Sequence, residues 1–460
     1  MIHPTMASKR ENFKSRWTVI MAMAGSAIGL GNIWRFPYMV GEHGGAAFII
    51  LYILATIFIS LPVFMAEMTV GRRSRTSAYG AMSKLNPKVG FWKAAGILAI
   101  FIPTLIASYY SVIGGWSLEY LFMSCTGNIV QSNPDSVTSL FGSFISSPWR
   151  PVIVHLLFLL LCVLVVARGV RSGIEKFSEY TIPLLFVLIV LMAVYSLTLP
   201  GAMEGVKYLV KPDFSQLNAR SLAYALGQSF YSLSLGMGTI ITYGSYVSKK
   251  ESIMFSGVGT ATSDLMFAII AGFAIMPAVF AAGIEPGAGP GLVFQSIPYI
   301  FASLGKEVPV ISAVVSVIFF LTIVVAAMTS CISLLEVGVS YLVENHSMKR
   351  TSASLLLFVL CGTAGVFCSL SFGTLSGIQI GGMNLFDVFD YLSSNIFLPI
   401  LATIVVIFVG FSMSRDDVRD EITNGGSIPG SNRLFPVVYF LIKWIAPIFM
   451  VLLFITNFIL

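Results

Sequence analysis

Residues 24–32 read AGSAIGLGN, and they lie in the middle of an apolar run that starts at Trp17 and continues past Trp34. Three glycines fall in this stretch, and each costs a helix interior about 1 kcal/mol relative to alanine. The stretch therefore predicts a break in a membrane-spanning helix, with backbone groups left unpaired at membrane depth. Such groups are tolerated only where they line a cavity or bind a ligand. A kinked or tightly packed helix is the alternative, because small residues also let helices approach closely.

A second stretch of this kind occurs near the middle of the chain. Residues 232–238 read SLSLGMG and again interrupt an apolar run. The two breaks fall in the first and the sixth predicted span, which makes these spans the lead helices of two five-helix repeats. This arrangement is expected of a transporter built from an inverted repeat.

The composition excludes several classes of protein. Of the 460 residues, 56% are hydrophobic and only 10% are charged, whereas a soluble globular chain carries about 25% charged residues. A soluble enzyme, a disordered scaffold and a nucleic-acid-binding protein are therefore excluded. Five cysteines without a C-x-x-C pair and four scattered histidines argue against a metal centre. No nucleophile with an acid/base partner stands out, so we do not expect an enzyme.

The apolar runs predict an all-α polytopic membrane protein. We expect eleven membrane-spanning helices, spans 1 to 11, at residues 17–39, 46–70, 91–124, 150–167, 174–199, 219–247, 254–282, 307–342, 352–373, 383–412 and 434–458. Residues 1–16 then form an N-terminal segment. The first repeat covers residues 17–199, the second covers residues 219–412, and span 11 at 434–458 follows them.

The distribution of basic residues predicts the orientation. Twenty of the 27 Lys and Arg residues lie in the N-terminal segment and in every second connection, and five lie in the alternate connections. The positive-inside rule therefore places the N-terminus in the cytoplasm, and an odd number of spans places the C-terminus outside. Topology explains the net charge of +6 without a nucleic-acid partner.

Charged residues within the spans are costly, so each is a functional candidate. Arg35 and Asp390 are expected at a similar depth, where they form either a pair that opens and closes the outer mouth or a static ion pair. Glu67 is expected to accept hydrogen bonds from amides of a broken helix; the alternative is an interfacial acid beside Arg72 and Arg73.

Asp264 has no Lys or Arg within one turn of it in the sequence. An unpaired carboxylate near mid-membrane indicates either a bound cation or a neutral, protonated acid. By themselves, the adjacent hydroxyls of Thr329 and Ser330 are expected to donate hydrogen bonds to carbonyls of their own helix. Taken with Asn32 and the carbonyls of the first break, however, these oxygens suit a hard cation. The residues thus indicate an ion-coupled secondary transporter for a small anionic or zwitterionic solute.

At this point two motifs show a resemblance to a known family. Residues 25–38, GSAIGLGNIWRFPY, resemble the defining motif of the neurotransmitter:sodium symporter family. Residues 227–238, GQSFYSLSLGMG, followed by TYGSY at 242–246, resemble its sixth helix. The match spans nearly the whole chain, and eleven spans rather than twelve resemble the shorter bacterial members.

The resemblance implies two sodium sites. The first is formed by the Ala27 carbonyl, Asn32, Ser232, Asp264 and the substrate carboxylate. One bacterial member of the family has Asn where Asp264 stands, and a one-residue gap makes Ser263 the rival ligand. The second site is formed by the carbonyls of Gly25, Ile28 and Ala326 and the hydroxyls of Thr329 and Ser330.

The resemblance also implies a substrate pocket, two gates and a hinge. Tyr110 would bond the substrate carboxylate and Tyr231 would cover the pocket from outside. The implied pocket residues are Ser26, Ala27, Leu30, Gly31, Ile106, Tyr110, Tyr231, Ser232, Ser234, Met237, Ser330 and Leu334. The outer gate comprises Arg35, Asp390 and Gln228, and the inner gate comprises Arg10 and Glu344. Gly173 and Pro183 would let span 5 unwind beside the second sodium site; an ordinary proline kink is the alternative.

The expected function is sodium-coupled import of hydrophobic and aromatic L-amino acids by alternating access in a bacterial plasma membrane. Monoamine carriers of the family have Asp where this chain has Gly29, so the substrate should bring its own carboxylate. Met237 is flexible and suits large apolar side chains. The fixed carboxylate of Asp264 favours chloride independence. An amino acid sensor that does not transport and a proton-coupled transporter remain the alternatives. Membrane lipid is the other expected partner, and the sequence indicates no oligomeric state.

Overall fold

The computed structural model of the chain describes residues 11–131, 134–283, 292–305 and 308–459. Within these residues the regular structure is helical, apart from one isolated bridge between Ile380 and Met383. Nine continuous helices of the described part are long and apolar enough to cross a bilayer. They are Ala46–Ser74, Phe91–Cys125, Arg150–Ala167, Val170–Leu197, Ile253–Ala281, Pro309–His346, Arg350–Leu370, Leu385–Ser412 and Ser431–Thr456, which correspond to spans 2–5 and 7–11.

Spans 1 and 6 are the two broken helices. Span 1 consists of Arg16–Ala27 and Gly31–Glu42, whose axes differ by 56°. Span 6 consists of Ala219–Ser232 and Thr239–Gly244, with residues 233–238 between them. By length and composition the described part has up to ten candidate spans, because the two short halves of span 6 are not counted among them. The all-α polytopic fold with broken helices 1 and 6 is confirmed. The boundaries of the two repeats, 17–199 and 219–412, stay a prediction.

Local sequence explains both breaks. The first half of span 1 starts at a capping box in which Ser15 and Thr18 bond each other's backbone, and this half ends at Ile28, whose backbone is extended. In span 6, Gly236 and Gly238 have φ of 70° and 71°, a left-handed conformation that favours glycine. A Cβ atom on Gly236 would lie 2.4 Å from the Leu398 carbonyl oxygen, so the break also needs glycine for close packing against span 10.

Shorter helices connect the spans. They are Ala78–Leu85, Asn128–Gln131, Pro134–Ser146, Ala202–Val210, the 3-10 turn Phe214–Gln216, the π-helical turn Leu292–Ser296 with Ile297–Gly305, and Arg415–Thr423. The helices Ala78–Leu85 and Arg415–Thr423 belong to connections that are rich in basic residues. We call the end of the bundle that carries these connections the basic end.

The spans pack in two groups. Spans 3, 4, 8 and 9 pack closely against one another, with the most extensive contact between spans 3 and 8. Spans 1, 2, 6 and 7 form the other group, and span 5 contacts spans 1, 7 and 8. The breaks of spans 1 and 6 therefore lie in one group and face the other.

A buried ion pair stabilises the basic end. Arg72, at the end of span 2, and Glu421, in the helix Arg415–Thr423, are both 0% exposed. Arg72 Nε lies 2.7 Å from Glu421 Oε2, and Lys249 from the connection between spans 6 and 7 contacts Glu421 Oε1. Burial by itself raises the pKa of Glu421, but Arg72 and Lys249 lower it by more, so this pKa lies below its ordinary value of 4.5.

Candidate substrate and ion site

Side chains from other spans bond the backbone groups freed by the two breaks. Glu67 Oε1 accepts the amide of Gly236 at 2.7 Å, as expected from the sequence. Ser234 Oγ donates to the Ser26 carbonyl at 2.8 Å, which joins the two breaks directly. The Tyr110 hydroxyl accepts the Leu30 amide at 3.2 Å. These three hydrogen bonds satisfy backbone groups at the breaks, so the breaks are ordered features of the fold and not frayed helix ends.

The residues predicted for the substrate pocket come together between these breaks. Eleven of the twelve line one cavity, which extends from Ser26 in span 1 to Leu334 in span 8. Leu30 instead lines the neighbouring vestibule. The volume of the cavity is only about 20 Å³, so it must widen to admit an amino acid.

Gly29 also lines this cavity, although it was absent from the predicted pocket. A Cβ atom at Gly29 would lie 2.4 Å from Ser330 Oγ and 3.0 Å from the Tyr110 hydroxyl. Real side chains do not approach so closely, so a larger residue at position 29 would require the side chains of Ser330 and Tyr110 to shift. The lining also contains the apolar side chains of Ile106, Met237 and Leu334.

Asp264 lies at the centre of a cluster of neutral hydrogen-bond donors. Its side chain is 0% exposed. Asn32 Nδ2 donates to Oδ1 at 2.7 Å, Ser232 Oγ lies 2.7 Å from Oδ1 and 2.9 Å from Oδ2, and the Tyr52 hydroxyl donates to Oδ2 at 3.0 Å. Within the described residues, no Lys or Arg forms an ion pair with Asp264.

The rival ligand Ser263 is turned away from this cluster. Its Oγ donates to the Gly259 carbonyl of its own helix at 2.8 Å. Asn32, Ser232 and Asp264 are therefore the side chains that meet. The sequence did not indicate Tyr52 as part of this cluster, because a single tyrosine in an apolar run gives no sign that it contacts a distant carboxylate.

The residues predicted for the second sodium site also converge. Thr329 Oγ1 lies 2.8 Å from the Ala326 carbonyl and 3.2 Å from the Ile28 carbonyl. Ser330 Oγ lies 3.2 Å from the Ser26 carbonyl and 3.5 Å from that of Ile28. These groups are neutral oxygens, the ligands that hard cations prefer. The fifth residue, Gly25, packs against Ser178 of span 5.

The predicted outer gate lines a vestibule of about 560 Å³ above the cavity. Arg35 and Asp390 both line it, but they form no ion pair within 4.0 Å in the part of the chain described. The Arg35 guanidinium lies 5.2 Å from the ring centroid of Tyr231. Asp390 accepts the hydroxyl of Tyr109 at 3.0 Å. Gln228, the third gate residue, donates to the Gly31 carbonyl at 3.0 Å. The outer pair is thus apart in this structure.

Of the two residues predicted for the inner gate, the structure describes one, Glu344. Arg10 lies outside the described residues, and Glu344 accepts the amide of Ser77 at 2.6 Å. A neighbouring carboxylate, Glu336, was missed by the sequence analysis. It is 0% exposed, accepts the hydroxyl of Tyr246 at 2.7 Å and forms an ion pair with Arg350. It thus joins span 6 to spans 8 and 9 at the basic end.

The predicted hinge of span 5 is helical throughout. Gly173 lies in the π-helical turn Val170–Glu175, and Pro183 lies inside the helix Lys176–Leu197. A Cβ atom on Gly173 would lie 2.1 Å from the Val165 carbonyl oxygen, so this glycine packs tightly against span 4. Unwinding of span 5 stays a prediction.

Comparison with known proteins shows one consistent relationship. The sequence matches the Sodium:neurotransmitter symporter family over residues 10–136 and 136–460. An uncharacterised sodium-dependent transporter of Bacillus subtilis, YhdH, is 36% identical over 446 residues, which cover 97% of each chain. The sodium-dependent serotonin transporter of Drosophila melanogaster is 27% identical over 97% of this chain and 76% of its own. The structure of MhsT in complex with L-phenylalanine matches with a TM-score of 0.88 and 40% identity, over 97% of this chain and 100% of that chain. The resemblance inferred from the two motifs is confirmed.

Proposed function

The chain belongs to the sodium:neurotransmitter symporter family, a family of transporters rather than enzymes, and we propose that it imports hydrophobic and aromatic L-amino acids together with sodium. The observation that carries this proposal is the cavity between the two breaks, which has a polar part and an apolar part. The polar part offers the Tyr110 hydroxyl and backbone groups of the breaks, and the apolar part offers Ile106, Met237 and Leu334. An α-amino acid with an apolar side chain matches both parts.

The crowding at Gly29 favours a substrate that brings its own carboxylate. With glycine at this position, the lining of the cavity contains no carboxylate that could bind the amine of a ligand without a carboxylate of its own. The Leu30 amide bonds the Tyr110 hydroxyl oxygen, which leaves the hydroxyl proton to donate to a substrate carboxylate. The bound L-phenylalanine named for MhsT supports an aromatic substrate.

Two sodium ions are proposed as the coupled ions. The first would be held by the Ala27 carbonyl, Asn32, Ser232 and Asp264 with the substrate carboxylate, which would tie ion binding to substrate binding. The second would be held by the carbonyls of Gly25, Ile28 and Ala326 and by the hydroxyls of Thr329 and Ser330. The carboxylate of Asp264 supplies a fixed negative charge at the first site, so we propose transport without chloride.

Alternating access is proposed as the mechanism, and the packing of the spans in two groups supports it. The outer residues Arg35, Asp390 and Gln228 would close the vestibule, Arg10 and Glu344 would close the basic end, and span 5 would unwind between Gly173 and Pro183. The basic end is proposed to face the cytoplasm of a bacterial cell, with the C-terminus outside.

Uptake into proteoliposomes tests the proposal. Labelled phenylalanine and leucine are supplied with an inward sodium gradient, with potassium in its place as the control, and with gluconate replacing chloride in a third arm. We expect accumulation with sodium whether chloride is present or not. Sodium-dependent binding without accumulation would instead indicate a sensor. Accumulation driven by a proton gradient without sodium would contradict sodium coupling.

A further inference from the structure

Lys443 is an intramembrane charge that the transport site leaves unexplained. It lies in span 11, in the π-helical turn Leu441–Ile445. Exposed apolar side chains on the same helix, from Leu434 to Ile455, place this part of span 11 against lipid. An ammonium at this position is costly unless it reaches water or an anion.

Aromatic rings surround the Lys443 ammonium. Its Nζ lies 4.8 Å from the ring centroid of Phe411, 5.7 Å from that of Tyr439 and 5.8 Å from that of Trp444. The long stem of a lysine lets its ammonium reach along the helix toward the interface, and Tyr439 lies one turn nearer the basic end. In the described ranges no carboxylate forms an ion pair with this ammonium.

A second cation uses the same tyrosine ring. The guanidinium carbon of Arg415 lies 5.8 Å from the ring centroid of Tyr439 and 6.0 Å from that of Phe435. Since Lys443 Nζ is 5.7 Å from the same Tyr439 ring, the two cationic centres lie within about 12 Å of each other. Arg415 is solvent-exposed and begins the helix Arg415–Thr423.

The acidic residues of that helix do not neutralise Arg415, because each is bound to another cation. The pairs are Asp416 with Arg419, Asp417 and Asp420 with Arg73, and Glu421 with Arg72. Among the described residues, no ion pair is formed by Arg415. Arg415 and Lys443 are therefore two neighbouring positive charges without a counterion in the described part of the chain.

The surroundings of this pair suit an amphiphilic anion. A groove of about 560 Å³ lies beside Arg415, between its helix and the start of span 11. Its lining includes Asn432, Phe435 and a second cation, Arg419, together with the carboxylates of Asp416 and Asp420, which are paired with Arg419 and Arg73. Phe411 and Trp444, next to Lys443, are each 51% exposed and offer an apolar surface at membrane depth. A polar groove beside one cation and an apolar surface beside the other match a head group and an acyl chain.

We propose that Arg415 and Lys443, which both lie near the Tyr439 ring, bind the phosphate of an anionic phospholipid. A guanidinium suits phosphate because its planar fork of donors matches the phosphate oxygens. Basic pockets between spans on the cytoplasmic side are suited to anionic head groups, and the basic end is the proposed cytoplasmic end. The site lies on span 11 and the helix Arg415–Thr423, apart from the cavity between the breaks, so it is independent of which solute the protein carries.

Lipid titration with native mass spectrometry tests this site and requires no transport. The purified protein is titrated with phosphatidylglycerol and with phosphatidylcholine, without sodium or amino acid. We expect tighter binding of phosphatidylglycerol, and an affinity reduced about fivefold by Arg415→Gln or Lys443→Met and about 25-fold by both together. Lys88→Gln, which removes an exposed lysine on the same end, is the matched control and should bind like the unchanged protein. Lys443→Arg keeps the charge and should retain the affinity.

Three results would overturn the proposal. The first is equal affinity for the two lipids, and the second is wild-type affinity in the Arg415→Gln, Lys443→Met double variant. The third concerns the source of the phosphate: if inorganic phosphate at millimolar concentration displaced the lipid completely, the site would take a free anion rather than a phospholipid. Thermal unfolding of each variant, measured beside the titration, separates loss of binding from loss of folded protein.

Discussion

Asp264 and Glu421 are both buried carboxylates, but their neighbours differ in charge. Glu421 meets the cations of Arg72 and Lys249. Asp264 meets the amide of Asn32 and the hydroxyls of Ser232 and Tyr52, which carry no charge. A buried charge is costly unless it is paired. The charge of Glu421 is therefore balanced by the protein itself, whereas that of Asp264 is left to a proton or to the sodium ion that we propose. The same chemical group thus stabilises structure at one site and is suited to ion binding at the other.

Removing the Asp264 carboxylate should have the largest effect on transport. In Asp264→Ala we expect sodium-driven accumulation to fall by about 100-fold or more, which corresponds to about 2.7 kcal/mol, because the proposed first ion site loses the one charged ligand that the protein supplies to it. Uptake into proteoliposomes measures this. The matched control is Ser263→Ala, one residue away, whose hydroxyl bonds its own helix and whose loss should leave uptake intact. Similar losses in both variants would contradict the assignment.

Removing the Glu421 carboxylate should instead affect stability. Glu421→Gln leaves Arg72 buried beside a neutral side chain, and breaking a buried pair in this way costs about 3–5 kcal/mol in the free energy of unfolding. Thermal unfolding in detergent should show a lower midpoint, with uptake per folded molecule unchanged. Glu204→Gln removes a carboxylate from an exposed pair with Lys207 and should change the midpoint little. An unchanged midpoint in Glu421→Gln would show that this ion pair does not stabilise the basic end.

The Tyr52 hydroxyl allows a finer test of the Asp264 cluster. Tyr52→Phe removes one donor to Asp264 Oδ2 and keeps the ring, and a hydrogen bond to a charged group contributes about 1.5 kcal/mol. We expect the sodium concentration for half-maximal uptake to change by about tenfold, with the fold intact. Tyr195→Phe is the matched control, because the Tyr195 hydroxyl has no partner among the described residues. Equal effects of the two changes would mean that Tyr52 does not position Asp264.

A pH titration of stability sharpens the comparison further. The pKa of Glu421 lies below its ordinary value of 4.5 because Arg72 and Lys249 outweigh the effect of burial. Its contribution to stability is therefore fully present above about pH 4.5 and is lost as the pH falls through the folded-state pKa. The unfolding midpoint of the unchanged protein should decline below pH 4.5, and that of Glu421→Gln should decline less. Parallel declines would show that other carboxylates dominate acid unfolding.

The limits of the spans were predictable because they depend on local composition. Span 4 was expected at residues 150–167 and is formed by Arg150–Ala167. The glycine clusters likewise placed both breaks, since glycine destabilises a helix wherever the helix packs. Eleven of twelve implied pocket residues lie around one cavity because the resemblance supplied a complete packing arrangement, which composition alone does not contain.

Contacts between distant residues were less predictable. Tyr52 and Asp264 are 212 positions apart, and nothing near Tyr52 in the sequence indicates that they meet. The ion pair between Glu336 and Arg350 was missed although the two residues are close in the chain, because one lies in span 8 and the other begins span 9. Arg35 and Asp390 were expected as a pair, and the structure separates them across the vestibule.

The sequence by itself determined the eleven spans, the two broken helices and the presence of costly charges in the membrane, since apolar length, glycine and charge act locally. Only the tertiary structure decided what each charge meets. It turned Ser263 toward its own helix and Asp264 toward Asn32, enclosed Glu421 with two cations, and left Arg415 and Lys443 on one tyrosine ring. These outcomes depend on the rotation and the packing of helices that are far apart in the chain, and the energy of a buried charge depends on those neighbours.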